Sequence, residues 1–474
     1  MTSFTREINR LLIGVLSAFG VIFIAATYYA VVGNMTLLPR EDNPRLVEAE
    51  RSIMRGSLYD RDGMLLVRTI QDDNNFAQRE LLAQSMASAT GYYSFRYGSA
   101  GAEAAYDDLL SGADQPATPA ELILNQPRQG ADIRLTFDLD IQQAIVEAMG
   151  DQQGAAVVMS VPGGEMLALV SLPTYDPNTL DADWDTLIES EGEPFFNRAL
   201  QGRYQPGTML HLPVVLTALV KGQTLNVQFP NGTVPIQLDD LTLTCLLPPS
   251  GRSMNMREAY LYGCPAPFAQ IAPSLGLNEI RETFNLLQLE NAPVIDGFVG
   301  ADETIRTTFL TRGNLRENVL GQGDLTVSPI GMNALTAAII NNGNAPQPYA
   351  IQAINNPGDL VWAPIRTQRP TAAYMTDENA RRLAEIMRES AIDGTGAMIK
   401  WGELDVGSHA AIAYSGDEAI VWFTAFVVLE NKPNVAITVV IEGTEDPMAA
   451  ATVAHDAILA ADAALPAIDP TPAP

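Results

Sequence analysis

Residues 11–32 form an uncharged run of 22, rich in Leu, Val, Ile, Phe and Ala. At 1.5 Å rise per residue a helix of that length spans a hydrocarbon core of ~30 Å. The run exceeds the ~7–15 residue apolar region of a cleaved leader, and no clear small-residue cleavage site follows it. It reads as an uncleaved anchor, with Tyr28 and Tyr29 near its far end, where interfacial aromatics concentrate. Arg6 and Arg10 precede it while Arg40, Arg45 and Arg51 follow it, so charge leaves its orientation open. The rest of the 474-residue chain must fold beside a membrane.

That remainder is apolar enough to fold, with 47% hydrophobic and 18% charged residues overall. At ~150 residues per domain the length suggests about three domains. Asp and Glu number 56 against 28 Lys and Arg, a net charge of −28, which argues against a nucleic-acid partner. The three histidines, His211, His409 and His455, are far apart and no HExxH occurs, so neither a metal centre nor another cofactor is expected. Cys245 and Cys264 are too few for a disulfide scaffold. A single disulfide and two buried free thiols both fit the sequence.

Along the chain, Asp62-Gly63 predicts a tight turn between short strands at 57–59 and 64–67. Residues 132–137 read as a strand, and Asp138 or Asp140 as the cap of a helix running to about Met149. Two apolar runs, 154–160 and 165–172, flank Val161-Pro162-Gly163-Gly164 and predict a buried hairpin. A mostly helical middle spans 209–344, interrupted by strands and turns near 227–247. Residues 377–390 form an amphipathic helical pattern. The strongest strand signals are 419–429 and 435–442, and Pro447 opens an Ala-rich helix over 448–463. The expected fold is α+β, with helices flanking an antiparallel sheet whose strands come from both ends of one domain. Expected boundaries are 1–34 for the tip and anchor, 35–130 for a pedestal, 131–463 for the main domain and 464–474 for a Pro-rich tail.

Several segments, in order, resemble the class B penicillin-binding proteins, membrane-anchored peptidoglycan D,D-transpeptidases. Residues 55–63, RGSLYDRDG, look like the family's R-G-x-I-x-D-R-x-G. Residues 154–178 look like the opening hairpin and its S-x-P-x-x-D-P-N extension. Tyr204-Gln205-Pro206-Gly207 looks like the approach to the nucleophile, Gly321-Gln322-Gly323 followed by Val327-Ser328-Pro329 like G-Q-G and T-P, and Trp422-Phe423-Thr424-Ala425-Phe426 like W-F-x-G-F. The resemblance implies a penicillin-binding/β-lactamase-like transpeptidase domain on a small pedestal, with the C-terminal bulk outside the bacterial cytoplasmic membrane. It also implies that the anchor and the residues around 55–63 contact a polytopic glycan polymerase.

The family's chemistry rests on S-x-x-K, S-x-N and K-T-G. A serine hydroxyl attacks a D-Ala-D-Ala carbonyl, and a lysine at i+3 shares its helical face and takes the proton. The third motif supplies a cationic strand edge and oxyanion donors. Here the first motif reads Thr208-Met209-Leu210-His211, with the following proline displaced to Pro213. The second reads Gly263-Cys264-Pro265, and the third Ser408-His409-Ala410. Loss of one member of such a unit can cost ~10⁶ in kcat. The first expectation is a pseudoenzyme that positions partners in cell-wall synthesis. The second is a divergent transpeptidase or carboxypeptidase using Thr208 with His211 as base. The third is a module that holds a cell-wall peptide or a β-lactam without cutting. Lys400 reads as a solvated loop residue rather than a displaced motif lysine.

Overall fold

The computed structural model describes residues 2–36, 51–71, 76–114, 128–291, 293–300, 314–365 and 370–468. Arg40, Arg45 and the last six residues of the tail lie outside the described residues. Helix α1 (Thr2–Thr36) carries the apolar run, and its Ile8–Tyr28 stretch is long and apolar enough to cross a membrane.

The pedestal is built around one short motif. The strands β1 (Leu58–Tyr59) and β2 (Leu65–Gln71) pair antiparallel across the Asp62-Gly63 turn. The Asp60 carboxylate closes that turn by accepting the Asp62 and Met64 N–H groups at 3.0 and 2.7 Å. Strand β3 (Ala77–Leu81) adds to β2, and β4 (Asp132–Leu135) adds to β1 in parallel. Arg55, at the head of the motif, is buried on Glu103, with Nη2 at 3.0 Å, and reaches Asp107 at 2.6 Å. Arg79 joins Glu103 from β3.

After β4, Asp138 caps helix α2 (Leu139–Met149) by accepting two of its first N–H groups. The hairpin β5 (Gly154–Val161) and β6 (Met166–Leu172) follows, with every residue of both strands buried. The middle of the chain supplies α3 (His211–Val220), α4 (Met256–Leu261), α5 (Pro265–Leu275) and α6 (Pro329–Ile340). Strands β7 (Ile351–Asn355) and β8 (Ala363–Pro364) come next, then α7 (Asp377–Asp393). The chain closes with β9 (Asp405–Ser415), β10 (Glu418–Val428), β11 (Asn434–Glu442) and α8 (Pro447–Ala464), the last with Pro447 in its first turn.

The main sheet runs β9-β10-β11-β5-β6, antiparallel throughout, so its strands do come from both ends of the domain. Period-2 alternation splits its side chains between two cores. Trp422 and Phe426 join the core that holds α3, α5 and α6, while Val421, Phe423 and Val427 join the core under α2 and α8. Helix α6 lies under the sheet, and its wholly buried Asn333 donates to the Val157 and Ala436 carbonyls, 3.0 Å each.

Two expectations need correction. The C-terminal strands are three, since 405–415 forms an eleven-residue edge strand that sequence reading placed only as a motif. The pedestal sheet runs β8-β7-β4-β1-β2-β3, so it draws strands from both sides of the 130/131 boundary, including two from 351–364. Antiparallel pairing of β7 with β4 satisfies an edge that a free-standing pedestal would leave open.

Candidate active site

Four segments converge beside the edge strand β9. The first is the turn before α3. Gly207, at φ +52°, sits so close to β9 that a Cβ would collide with the Ile412 carbonyl. Its N–H bonds to the Gly321 carbonyl at 3.0 Å, and Trp422 Nε1 holds the Gln205 carbonyl at 2.9 Å. Residues Gly207–Leu210 then make a 3-10 turn before α3 starts at His211. Pro213 falls in the first turn of α3, where a missing N–H costs no intrahelical bond, so it sets the helix start rather than bending it.

Thr208 Oγ is buried and has no hydrogen-bond partner among the described residues. His211 is wholly buried, with its ring stacked on Phe268 of α5 at 3.7 Å. Neither of its ring nitrogens has a partner among the described residues, so no Thr208–His211 hydrogen bond exists. Burial, with His409 nearby, pushes the His211 pKa well below the usual imidazole range.

The second motif is sealed. Cys264 and Cys245 form a disulfide, which joins the segment after a short hairpin (Ile236–Leu238 and Leu241–Leu243) to the start of α5. Cys264 is the cap residue of α5 and Pro265 its first helical residue. Gly263, at φ +62°, is wedged so that a Cβ would lie 3.0 Å from Leu246 and 3.3 Å from Thr395. The Leu247 N–H bonds to the Tyr262 carbonyl, laying residues 245–247 along the motif.

The third motif is covered from the edge by a 3-10 turn, Thr395–Met398. Ser408 Oγ donates to the Gly396 carbonyl at 3.2 Å, and the Ala410 N–H donates to Thr395 Oγ at 3.3 Å. Further along the strand the Tyr414 N–H donates to the Gln322 side chain. His409 is buried, stacks on Tyr260 at 4.2 Å and shares a 2.9 Å hydrogen bond between Nδ1 and Thr395 Oγ. Its pKa is pushed down to about 3 by burial, against a smaller opposing influence from the Thr208 backbone.

Thr208, His211, Gly263 and His409 are therefore neighbours, linked through Thr395 and the two imidazoles, while Ser408 and Ala410 project from the opposite face of β9. Pro265 is buried in the start of α5. Sequence reading missed Thr395, Leu246, Tyr260 and Phe268, the side chains that fill the space between the motifs. The one sequence signal for Thr395 is its place between Gly394 and Gly396, a turn signature. Lys400 is exposed, as expected of a solvated lysine. Among the described residues no group of three or more His, Cys, Asp or Glu side chains gathers to hold a metal ion.

Comparison with known proteins decides the family. Residues 154–461 match the penicillin binding protein transpeptidase domain. The chain belongs to the class B penicillin-binding proteins. Residues 55–133 of this penicillin-binding protein match the penicillin binding protein A dimerisation domain. It is 25% identical to the peptidoglycan D,D-transpeptidase PbpA of Mycolicibacterium smegmatis, over 94% of this chain and 95% of that protein. PbpA of Mycobacterium tuberculosis is 26% identical with the same coverage. The structure of penicillin-binding protein A from M. tuberculosis as a penicillin G acyl-enzyme complex superposes with a TM-score of 0.76 at 25% identity, over 86% of this chain and 100% of that one. Its imipenem acyl-enzyme complex gives 0.75.

Proposed function

We propose that this penicillin-binding protein is a silent member of its family: a single-pass protein of the bacterial cytoplasmic membrane, bulk outside, that serves cell-wall synthesis without transpeptidation. In this reading it acts as a scaffold or regulator of a polytopic glycan polymerase. The observation that carries the proposal is the state of His211. A base must be reachable from the hydroxyl it serves. His211 stands where the family's lysine stands, yet it is wholly buried and bonded to nothing among the described residues. Its depressed pKa keeps it uncharged, so it offers neither the ammonium nor an accessible proton acceptor. Two further features support the same reading. The Ala410 N–H on the edge of β9 is already bonded to Thr395, and residues 245–247 lie across the second motif.

Purified full-length protein, given a peptide ending in D-Ala-D-Ala, is expected to release no D-Ala and form no cross-link. Turnover that disappears in both Thr208→Ala and His211→Ala would instead establish the divergent-enzyme reading. A peptide that binds without product would favour the non-cutting binder.

A further inference from the structure

A cavity of about 170 Å³ lies between the pedestal and the hairpin extension after β6, away from the three motifs. In a chain with 56 acidic residues, no charged side chain lines it. Its polar atoms come from hydroxyl and amide groups, among them Ser99, Thr174, Tyr175 and Gln201. Thr174 Oγ is buried with no hydrogen-bond partner among the described residues, an arrangement that a folded protein rarely leaves unanswered. Gln201 uses its carbonyl oxygen on the Asn197 N–H at 2.9 Å, which leaves its amide N–H groups for a ligand. The remaining wall is apolar, with Phe195, Phe298 and Leu200. Phe195 is fixed in turn by Tyr175 at 5.0 Å and Trp184 at 4.8 Å between ring centroids.

Uncharged donors and acceptors on one side and aromatic faces on the other match a neutral sugar ring, which presents hydroxyls at its rim and C–H bonds on its faces. An anion or cation would find no counter-charge, and a purely apolar ligand would leave the Thr174 hydroxyl unpaired. A cavity of ~150 Å³ admits one benzene-sized ring, so about 170 Å³ is the scale of one pyranose ring. We infer that this cavity binds a neutral saccharide unit, with Thr174 Oγ and the Gln201 amide reading its hydroxyls. The inference does not depend on whether the transpeptidase site is silent.

The test uses the full chain in lipid nanodiscs, which avoid sugar-headed detergents, and the trimer of N-acetylglucosamine as probe. Saturation-transfer NMR and calorimetry are expected to detect binding at millimolar probe. Thr174→Val, nearly isosteric, is expected to weaken it about three- to tenfold, the scale of one hydrogen bond. Ala104→Leu, which fills the cavity, is expected to abolish it, each variant keeping the wild-type melting temperature. No binding by the wild-type chain, or an affinity that either substitution leaves unchanged, overturns the assignment.

Discussion

At the scale of single residues, the two imidazoles of the site carry the clearest physical signature. Both are wholly buried and both are held neutral, His409 with a pKa pushed down to about 3. A histidine whose folded pKa lies below its unfolded value of ~6.5 leaves stability intact above that value. Below it the unfolded chain binds the extra proton, and stability falls as pH drops toward the folded pKa. His409 is expected to remove about 2 kcal/mol between pH 7 and pH 5, and His211 acts in the same direction. In urea unfolding, His211→Phe, whose ring can stack on Phe268, should therefore lose less stability over that interval than the wild type. An identical pH dependence in the two proteins would mean that the fold leaves the His211 pKa at its unfolded value. The candidate motif positions 208, 211, 263–265 and 408–410 are proposed from sequence alone, because each stands at a fixed distance from a recognisable neighbour. Their consequence was not legible. Whether His211 faces Thr208 or Phe268 depends on packing between α3 and α5, which no local pattern encodes.

At the scale of elements, the site is closed by two short pieces of chain rather than by the helices that carry the motifs. One is the Thr395–Met398 turn against β9, the other the disulfide-tied segment before Leu247. The Cys245–Cys264 bridge closes a loop with a sequence separation of 19. Replacing both cysteines by serine is expected to cost about 3 kcal/mol in denaturant unfolding, and reductant should lower the wild type toward the variant. The pedestal has its own keystone in Glu103, which is 1% exposed and shared by Arg55 and Arg79. Glu103→Ala leaves two buried guanidinium groups facing each other and is expected to cost about 3–5 kcal/mol, measured by thermal or urea unfolding. Sequence reading recovered the elements with strong periodicity: the hairpin β5–β6, strands β10 and β11, helix α7 and the terminal helix α8. It missed β9 as a strand because Asp405–Ser415 reads DVGSHAAIAYS, poor in the β-branched and aromatic residues that mark strands. Eleven registered pairs with β10 impose the conformation instead. It also missed that β7 and β8 return to the pedestal sheet, since pairing over more than 200 residues leaves no local trace.

At the scale of the whole molecule, the chain has the fold of its family. The apolar helix Ile8–Tyr28, the pedestal with its RGSLYDRDG motif and the five-stranded sheet are all in place. The interlocked turns at Gly207 and Gly321 still position residue 208 beside the edge strand, through the Trp422–Gln205 and Gly207–Gly321 bonds. In this protein the contacts that place residue 208 are separate from the charged groups of S-x-x-K and K-T-G, which positions 211 and 408 lack. Acylation by penicillin probes that separation most directly, because the drug needs the same hydroxyl, proton acceptor and oxyanion donors as the peptide. The decisive measurement is intact-mass spectrometry of the full-length protein after prolonged exposure to penicillin G, alongside an active penicillin-binding protein as control. This chain is expected to keep its unmodified mass while the control gains a stoichiometric adduct. A stable adduct mapped to the peptide containing Thr208 would contradict it.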